Sequence, residues 1–385
     1  MTSKNIIPAC TRAIINLGAF RQNLRVIKSR IKPNTKIMAV VKSNAYGHGV
    51  KEISREAERN KVDYLAVARV FEGVEIREEG IRMPILACEA AAKPSIEEAI
   101  LHNIDLTVVS LADAHVINHC AGALNRKPRI HIKVDTGMGR LGMMHTSAPE
   151  VIASIARLQH VEIAGVFSHF ATSEESDQTF ALEQLSGFNG VLEGLHRLKI
   201  EVPLVHMANS GAIFNLPQSH FDMVRPGISL YGYSPDRRME AQSALVPVMS
   251  VVSRVSFLKS VKQSMSISYG RKYFTKTDTI IATIPIGYGD GFSRSLTNKA
   301  ECIIKGLKYP IVGTICMDHV MADVGPENEV QAGDEVTLIG KNGSEAISCW
   351  DVAEKLGTIP YEITCLITPR VPRIYVDGQE QRDAA

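Results

Sequence analysis

Lys42 follows directly on the apolar run IMAVV and precedes SNAYGHG. An ammonium so close to a hydrophobic core is costly unless it is paired or loses its proton. Desolvation favours a neutral amine, and a neutral lysine is a nucleophile towards carbonyl carbon. The small residues, two glycines and Tyr46 that follow suit a loop wrapping a ligand. The plain alternative is a strand-end lysine reaching solvent. Other reactive groups stand in comparable places. Lys133 and Asp135 close RIHIKVD and are followed by TGMGR with Arg140. His169 closes EIAGVFSH, His206, Asn209 and Ser210 follow PLV, and Arg225 ends FDMVR ahead of Gly227 and Ile228. Ser210 with Gly227 and Ile228 suggests a phosphate site made of a hydroxyl and backbone N–H groups. Ser210 reads equally well as a simple helix N-cap. Lys133 and Arg140 could each pair with an acid, and His169 could be a structural histidine.

These residues gain meaning from the elements that carry them. From about residue 12 to 240 the chain alternates short Val/Ile/Leu-rich runs with helical patterns. The strand candidates are 36–42, 63–68, 84–88, 105–109, 129–135, 162–169, 203–208 and 221–225. Their nearly continuous apolar character is how parallel strands buried on both faces read. Between them, 49–60, 70–80 and 181–198 show helical spacing, with Gly80 a helix stop. Eight strands alternating with helices predict an α/β fold, an N-terminal (β/α)8 TIM-type barrel. An open doubly wound sheet is the rival, weakened because no GxGxxG follows an early strand. The reactive residues fall at the C-terminal ends of the barrel strands, where this architecture builds its sites. After about residue 241 short strand-like runs separated by turns such as Lys341-Asn342-Gly343 predict a mainly-β domain, with one helix at 348–357. The expected domains are therefore 12–240 and 241–385, with residues 1–11 a candidate addition to the second.

Composition narrows the class. The chain has 385 residues, 45% of them hydrophobic and 22% charged, enough apolar side chain for a sizeable core. A formal net charge of +2 without a Lys/Arg run argues against nucleic acid as a partner. Seven cysteines, an odd number without a CxxC pair, make a disulfide framework or a zinc site poor readings and fit a reducing cytoplasm. No signal peptide is read at the N-terminus, and no apolar run approaches the ~20 residues that span a bilayer.

Nine strings carry a specific resemblance. VVKSNAYGHG (40–49), HIKVDTGMGRLG (131–142), SHFA (168–171), HMANS (206–210) and MVRPGISLYG (223–232) lie in the first part. SYG (268–270), IPIGYGDG (284–291), VGTICMDH (312–319) and IPYE (359–362) lie in the second. In this order they resemble the alanine racemases, a family with a barrel followed by a β domain. The resemblance implies a pyridoxal-phosphate isomerase interconverting L- and D-alanine and supplying D-alanine for cell-wall peptidoglycan. Lys42 would hold the cofactor aldehyde and serve one face of the substrate α-carbon. Tyr269 would serve the other face, linked to His169 and Arg225. Arg225 would face the pyridine nitrogen. Tyr46, Ser210, Gly227, Ile228 and Tyr361 would cradle the phosphate, with Asn209 nearby. Arg140 and the Met317 backbone would hold the substrate carboxylate. Lys133 matches a position that is carbamylated in many members. Tyr288 and Tyr361 would narrow the entrance, while Thr314 and Glu174 depart from the common entryway residues and Arg294 keeps one. The family also implies a head-to-tail homodimer in which Tyr269, Tyr288 and Met317 act in the partner's barrel. Racemisation of serine or of a wider set of amino acids is the enzyme alternative. A non-enzymatic pyridoxal-phosphate carrier is the other, and such carriers lack the β domain.

Overall fold

The computed structural model describes residues 10–378. Two compact units emerge. One comprises Arg21–Ala45 and Gly49–Val246; the other runs up to Phe20, includes Tyr46–His48 and resumes from Pro247.

The first unit is a closed barrel of eight parallel strands. Around the ring lie Lys36–Val40, Tyr64–Val67, Ile85–Ala90, Asp105–Val108, Arg129–Asp135, Glu162–Phe167, Leu204–His206 and Met223–Val224. The last returns to the first through the pairing of Met223 with Lys36, which closes the ring. All eight expected strands are present in the expected order. Helices cover the outside. Val50–Arg59 buries Ile53 and Ala57 and exposes Lys51, Glu58 and Arg59, while Glu56 is buried against Arg21 at 2.9 Å. Leu111–Ala123 starts where the Ser110 hydroxyl accepts the Asp113 N–H, an N-cap in the ordinary sense. Thr179–Arg197, the longest, buries Leu185, Phe188, Val191 and Leu195. In the barrel unit Met38, Tyr64, Ala66, Leu86, Leu204 and Met223 pack together.

The second unit is built on one ten-stranded sheet. Its order runs Phe257–Val261, Thr279–Ile284, Val320–Gly325, Leu307–Val312, Glu301–Ile304, Glu335–Asn342, Met249–Arg254, Arg12–Asn16, Arg373–Val376, with the tenth strand, Glu345–Ile347, paired to Glu335–Asn342 off this path. Neighbours are antiparallel except the final pair, which is parallel. Residues Arg12–Asn16, inside the expected 12–240 domain, are a strand of this sheet. A five-residue apolar strand reads the same whichever sheet completes it. The candidate addition of residues 1–11 lies almost wholly outside the described residues. The expected turn at Lys341-Asn342-Gly343 joins Glu335–Asn342 to Glu345–Ile347, and the expected helix is Cys349–Leu356, ended by left-handed Gly357. Among the described residues no helix is long and apolar enough to cross a membrane.

Candidate active site

Lys42 stands half-buried immediately after the first barrel strand. The chain then makes an unusual turn. Ser43, Asn44, Ala45 and Tyr46 all lie in the left-handed region, with φ of 53, 53, 52 and 52°. None is glycine, and each non-glycine residue there costs about 1–2 kcal/mol. The surroundings must therefore hold the turn. Ala45 N–H donates to Val41 O (2.8 Å), Gly49 N–H to Asn44 O (2.9 Å), and Val50 N–H to Asn44 Oδ1 (2.8 Å). Ser43 N–H donates to the Glu72 carboxylate (2.6 Å).

Arg225 is the centre of the barrel end. It is 6% exposed, and burial lowers its guanidinium pKa to about 10, so it stays a cation at neutral pH. Nη2 donates to Ser168 O (2.6 Å) and Met207 O (3.0 Å) and lies 3.1 Å from His169 Nδ1. Nη1 lies 2.9 Å from His206 Nδ1. Within the barrel unit, Nε–H meets no acceptor. An arginine can only donate, so His206 accepts through Nδ1, and His169 Nδ1 shares the two Nη2 hydrogens with the Ser168 and Met207 carbonyls as an acceptor. That fixes both tautomers. His206 then presents Nε2–H to His131 Nδ1 (2.9 Å), and His131 turns Nε2 towards Asp105 Oδ2 at 3.5 Å. Asp105 also accepts from the Tyr64 hydroxyl (2.9 Å). Burial first, then the charge on Arg225, holds His169 and His206 well below the ordinary imidazole value. His131 is lowered too, again first by burial.

The strand Arg129–Asp135 explains how this row enters the lumen. Alternate residues of a strand face the same way, so Arg129, His131, Lys133 and Asp135 share one face while Ile130, Ile132 and Val134 face the helices. Gly165 makes room, since a Cβ there would stand 2.5 Å from the His131 ring. Lys133 is 5% exposed, and its ammonium lies 4.4 Å above the Phe167 ring centroid. Burial, followed by repulsion from Arg225, lowers it to about 7. Phe167 in turn stacks on His206 at 4.9 Å. Lys42, Lys133, Arg140 and Arg225 all act on the Cys88 thiol, whose pKa burial nevertheless raises. Four basic side chains thus converge on one end of the barrel. Arg140 itself is exposed.

The expected phosphate residues of the barrel also assemble. Asn209 caps the short helix Ser210–Asn215 by accepting from Ala212 N–H (3.0 Å). Ser210 Oγ accepts from Gly227 N–H (2.9 Å) and Ser229 N–H (3.3 Å) and lies 3.0 Å from Ser229 Oγ. The Gly227 N–H is thus engaged within the protein, whereas Ile228 N–H meets no acceptor in this unit. Glu174, one of the two departures in the entryway, lies half-buried after Ser173, whose hydroxyl donates to Asn209 Oδ1 (2.7 Å).

The remaining candidates belong to the β unit. Tyr46 and Tyr361 place their ring centroids 5.9 Å apart. Tyr269 sits between the short strands Ser266–Ile267 and Tyr273–Phe274. It is 71% exposed, and its phenol makes no hydrogen bond within its own unit. Its backbone is clamped. Thr314 Oγ1 donates to Tyr269 O (2.7 Å), and Ser268 Oγ donates to Thr314 O (2.5 Å). Tyr288 and Met317 are 42% and 52% exposed. Gly287 lets their two segments meet, because a Cβ there would lie 2.2 Å from Met317 O. The Met317 N–H meets no acceptor within its unit. Thr314 is buried and Arg294 exposed.

The residue pattern alone missed Glu72, His131 and Asp105, and it left His206 without a task. Alternation of polar residues through HIKVD was the available signal for His131. Nothing in VFEG marked Glu72.

The chain matches two family profiles, the alanine racemase N-terminal domain over residues 15–235 and the alanine racemase C-terminal domain over residues 248–375. The alanine racemase of Methanococcus maripaludis is 43% identical over 366 residues, 94% of this chain and 98% of that protein. The structure of alanine racemase from Clostridium difficile 630 superposes with a TM-score of 0.93 at 37% identity, covering 97% of both chains. That of alanine racemase from Bartonella henselae, with covalently bound pyridoxal phosphate, has a TM-score of 0.86 at 30% identity, covering 96% of this chain and 100% of that one. With both domains matched in order and the relatives covered almost end to end, the chain belongs to the alanine racemase family.

Proposed function

We propose that the chain racemises alanine with pyridoxal phosphate, Lys42 serving one face of the α-carbon and Tyr269 the other. The observation that carries this is the barrel end itself: Lys42 at a strand terminus, with a buried Arg225 whose neighbours are carbonyls and neutral imidazoles. A pyridine nitrogen is a hydrogen-bond acceptor, and the spare Arg225 Nε–H is a donor of the right kind. Ile228 N–H and the Ser210 hydroxyl suit phosphate oxygens, joined by Tyr46, Tyr361 and nearby Asn209 and Gly227. The donor set therefore fits pyridoxal phosphate, with Lys42 holding its aldehyde carbon. When bound, the cofactor supplies an electron sink that acidifies the α C–H of an amino acid.

The residues do the rest. The Lys42 amine takes or returns the α-proton on its face. The Tyr269 phenol does the same on the opposite face, and His169 and the charge of Arg225 are the groups suited to help it. Arg225 keeps a proton off the ring nitrogen, because it donates and does not give its own proton up. Arg140 and the Met317 N–H hold the substrate carboxylate, and Tyr288 limits its size. Lys133, with its amine largely neutral above pH about 7, is suited to bond carbon dioxide with loss of a proton, giving an anion beside the Arg140 cation. The exposure of Tyr269, Tyr288 and Met317 supports a head-to-tail homodimer in which they serve a second copy's barrel. Seven cysteines, an odd number without a CxxC pair, support a reducing, cytoplasmic location. The matched C-terminal domain speaks against a non-enzymatic carrier.

Borohydride reduction of the cofactor-loaded protein, followed by peptide mapping, tests the assignment. A racemase assay over L-alanine, L-serine and other small amino acids completes it. The label is expected on Lys42 and the highest kcat/KM with alanine. A label on another lysine sinks the anchor, and a serine preference replaces alanine as substrate.

A further inference from the structure

Glu72 is a buried carboxylate, 9% exposed, and among the described residues no basic side chain pairs with it. Its charge is met by backbone alone. Oε2 accepts from Ala68 N–H (2.8 Å) and Arg69 N–H (3.0 Å), and Oε1 accepts from Ser43 N–H (2.6 Å). The Arg69 bond is the usual service of an acid at the third position of a helix, here Val70–Glu78. Capping needs nothing from Ser43, which belongs to the loop after a different strand. The Ser43 contact is also the shortest of the three.

We propose that Glu72 is a positioning residue that holds the entry of the left-handed turn after Lys42 and so sets the reach of the Lys42 amine. The inference rests on reading Lys42 as the cofactor lysine and one of the two proton-transfer groups. The far end of the turn is secured by Asn44 and Ala45 through their bonds to Gly49, Val50 and Val41. At the near end the Ser43 N–H is held by this carboxylate, and the Ser43 side chain is exposed. Released from the carboxylate, Ser43 relaxes towards the right-handed or extended conformations that non-glycine residues prefer. Lys42, its chain neighbour, turns with it. A displacement of about 1 Å at a reacting group can lower rates by about 10²-fold.

Glu72→Gln tests this. An amide offers one oxygen, so either Ser43 N–H or the helix N–H pair then faces an NH2 group. The holoenzyme variant is expected to lose kcat by roughly 10–100-fold, with KM for alanine nearly unchanged. The α-deuterium isotope effects for L- and D-alanine should move apart, because only the Lys42 face is disturbed. Adding Ser43→Gly, which accepts a positive φ freely, should recover part of the rate. Ser110→Ala removes a cap from another barrel helix and is expected to lower the melting temperature without touching kcat. Should Glu72→Gln fail to fold, Glu72→Asp keeps the charge but falls one methylene short, and should show the same isotope asymmetry at smaller size. The proposal is overturned if Glu72→Gln, or failing it Glu72→Asp, behaves as Ser110→Ala does, less stable but kinetically normal. Equal changes in both isotope effects also overturn it. Wild-type protein that carries its cofactor elsewhere than Lys42 would refute the underlying reading instead.

Discussion

In the barrel, Arg225, His206 and Lys133 are buried and engaged with their neighbours; on the β unit, Tyr269, Tyr288 and Met317 stand exposed. Arg225 makes contacts to two carbonyls and two imidazoles. Tyr269 projects a phenol that is 71% exposed. The first arrangement is rigid and electrostatically specified, since one arginine dictates the tautomers of His169 and His206 and, through His206, the orientation of His131. The second specifies only a backbone position. A group that must meet a substrate held elsewhere is built this way: fixed at its base, free at its tip. The contrast teaches that the groups around Arg225 are fixed within the barrel, whereas Tyr269, proposed for the second face of the α-carbon, is fixed only at its backbone.

The sharpest way to break this contrast is Tyr269→Phe. Removing one acid–base group typically lowers rate by about 10²–10⁴-fold. Because the phenol is exposed and makes no hydrogen bond in its unit, stability should change by less than about 0.5 kcal/mol. The measurements are racemisation kinetics in both directions and thermal unfolding. Mixing these chains with inactive Lys42→Ala chains should restore part of the activity if the β unit serves another copy. Verified mixed dimers without restored activity would place both groups in one chain's site, and wild-type rates in Tyr269→Phe would remove its role altogether.

A second prediction concerns the buried side. Lys133 has its pKa lowered from 10.5 to about 7, first by burial and then by Arg225. Between those values the unfolded chain binds the proton that the folded chain has released. Stability of the unmodified protein therefore rises with pH from about 7 to 10.5, and below about 7 the full penalty applies. Lys133→Met keeps the bulk above Phe167 and removes the titration. In carbon-dioxide-free buffer the variant should be more stable at neutral pH and show a flatter profile across that window. Denaturant unfolding at a series of pH values measures it. A slope unchanged by the substitution would mean that another group titrates there.

The two regions also differ in how far sequence betrays them. All eight barrel strands were legible because strands buried on both faces leave nearly unbroken apolar runs, and the β unit was legible through its turns. The lumen was not. His206 and Arg225 are 19 residues apart, and their pairing follows from barrel closure and register, which no local pattern encodes. The turn at Ser43–Tyr46 was hidden because left-handed backbone is ordinarily signalled by glycine, and the glycines nearby, Gly47 and Gly49, follow it. Arg12–Asn16 falls inside the expected 12–240 domain, whereas its partners, Met249–Arg254 and Arg373–Val376, lie more than two hundred residues along the chain. Tyr269 carried no chemical signal of its own in SYG; only the ordered set of family motifs pointed to it.

The smallest effect should come from the base of the exposed tyrosine. Thr314 Oγ1 donates to Tyr269 O across 2.7 Å, while Ser268, at φ 65°, donates to Thr314 O. Thr314→Val preserves shape and removes only the first of these bonds. Such a loss costs about 1 kcal/mol, and the second bond still ties the two segments. The rate should therefore fall only severalfold, with the α-deuterium isotope effect changing for one enantiomer and not the other. A loss as large as that of Tyr269→Phe would show that the phenol's direction hangs on this single hydroxyl. In that case the exposed half of the site would be as tightly specified as the buried half, and the contrast between them would be one of location alone.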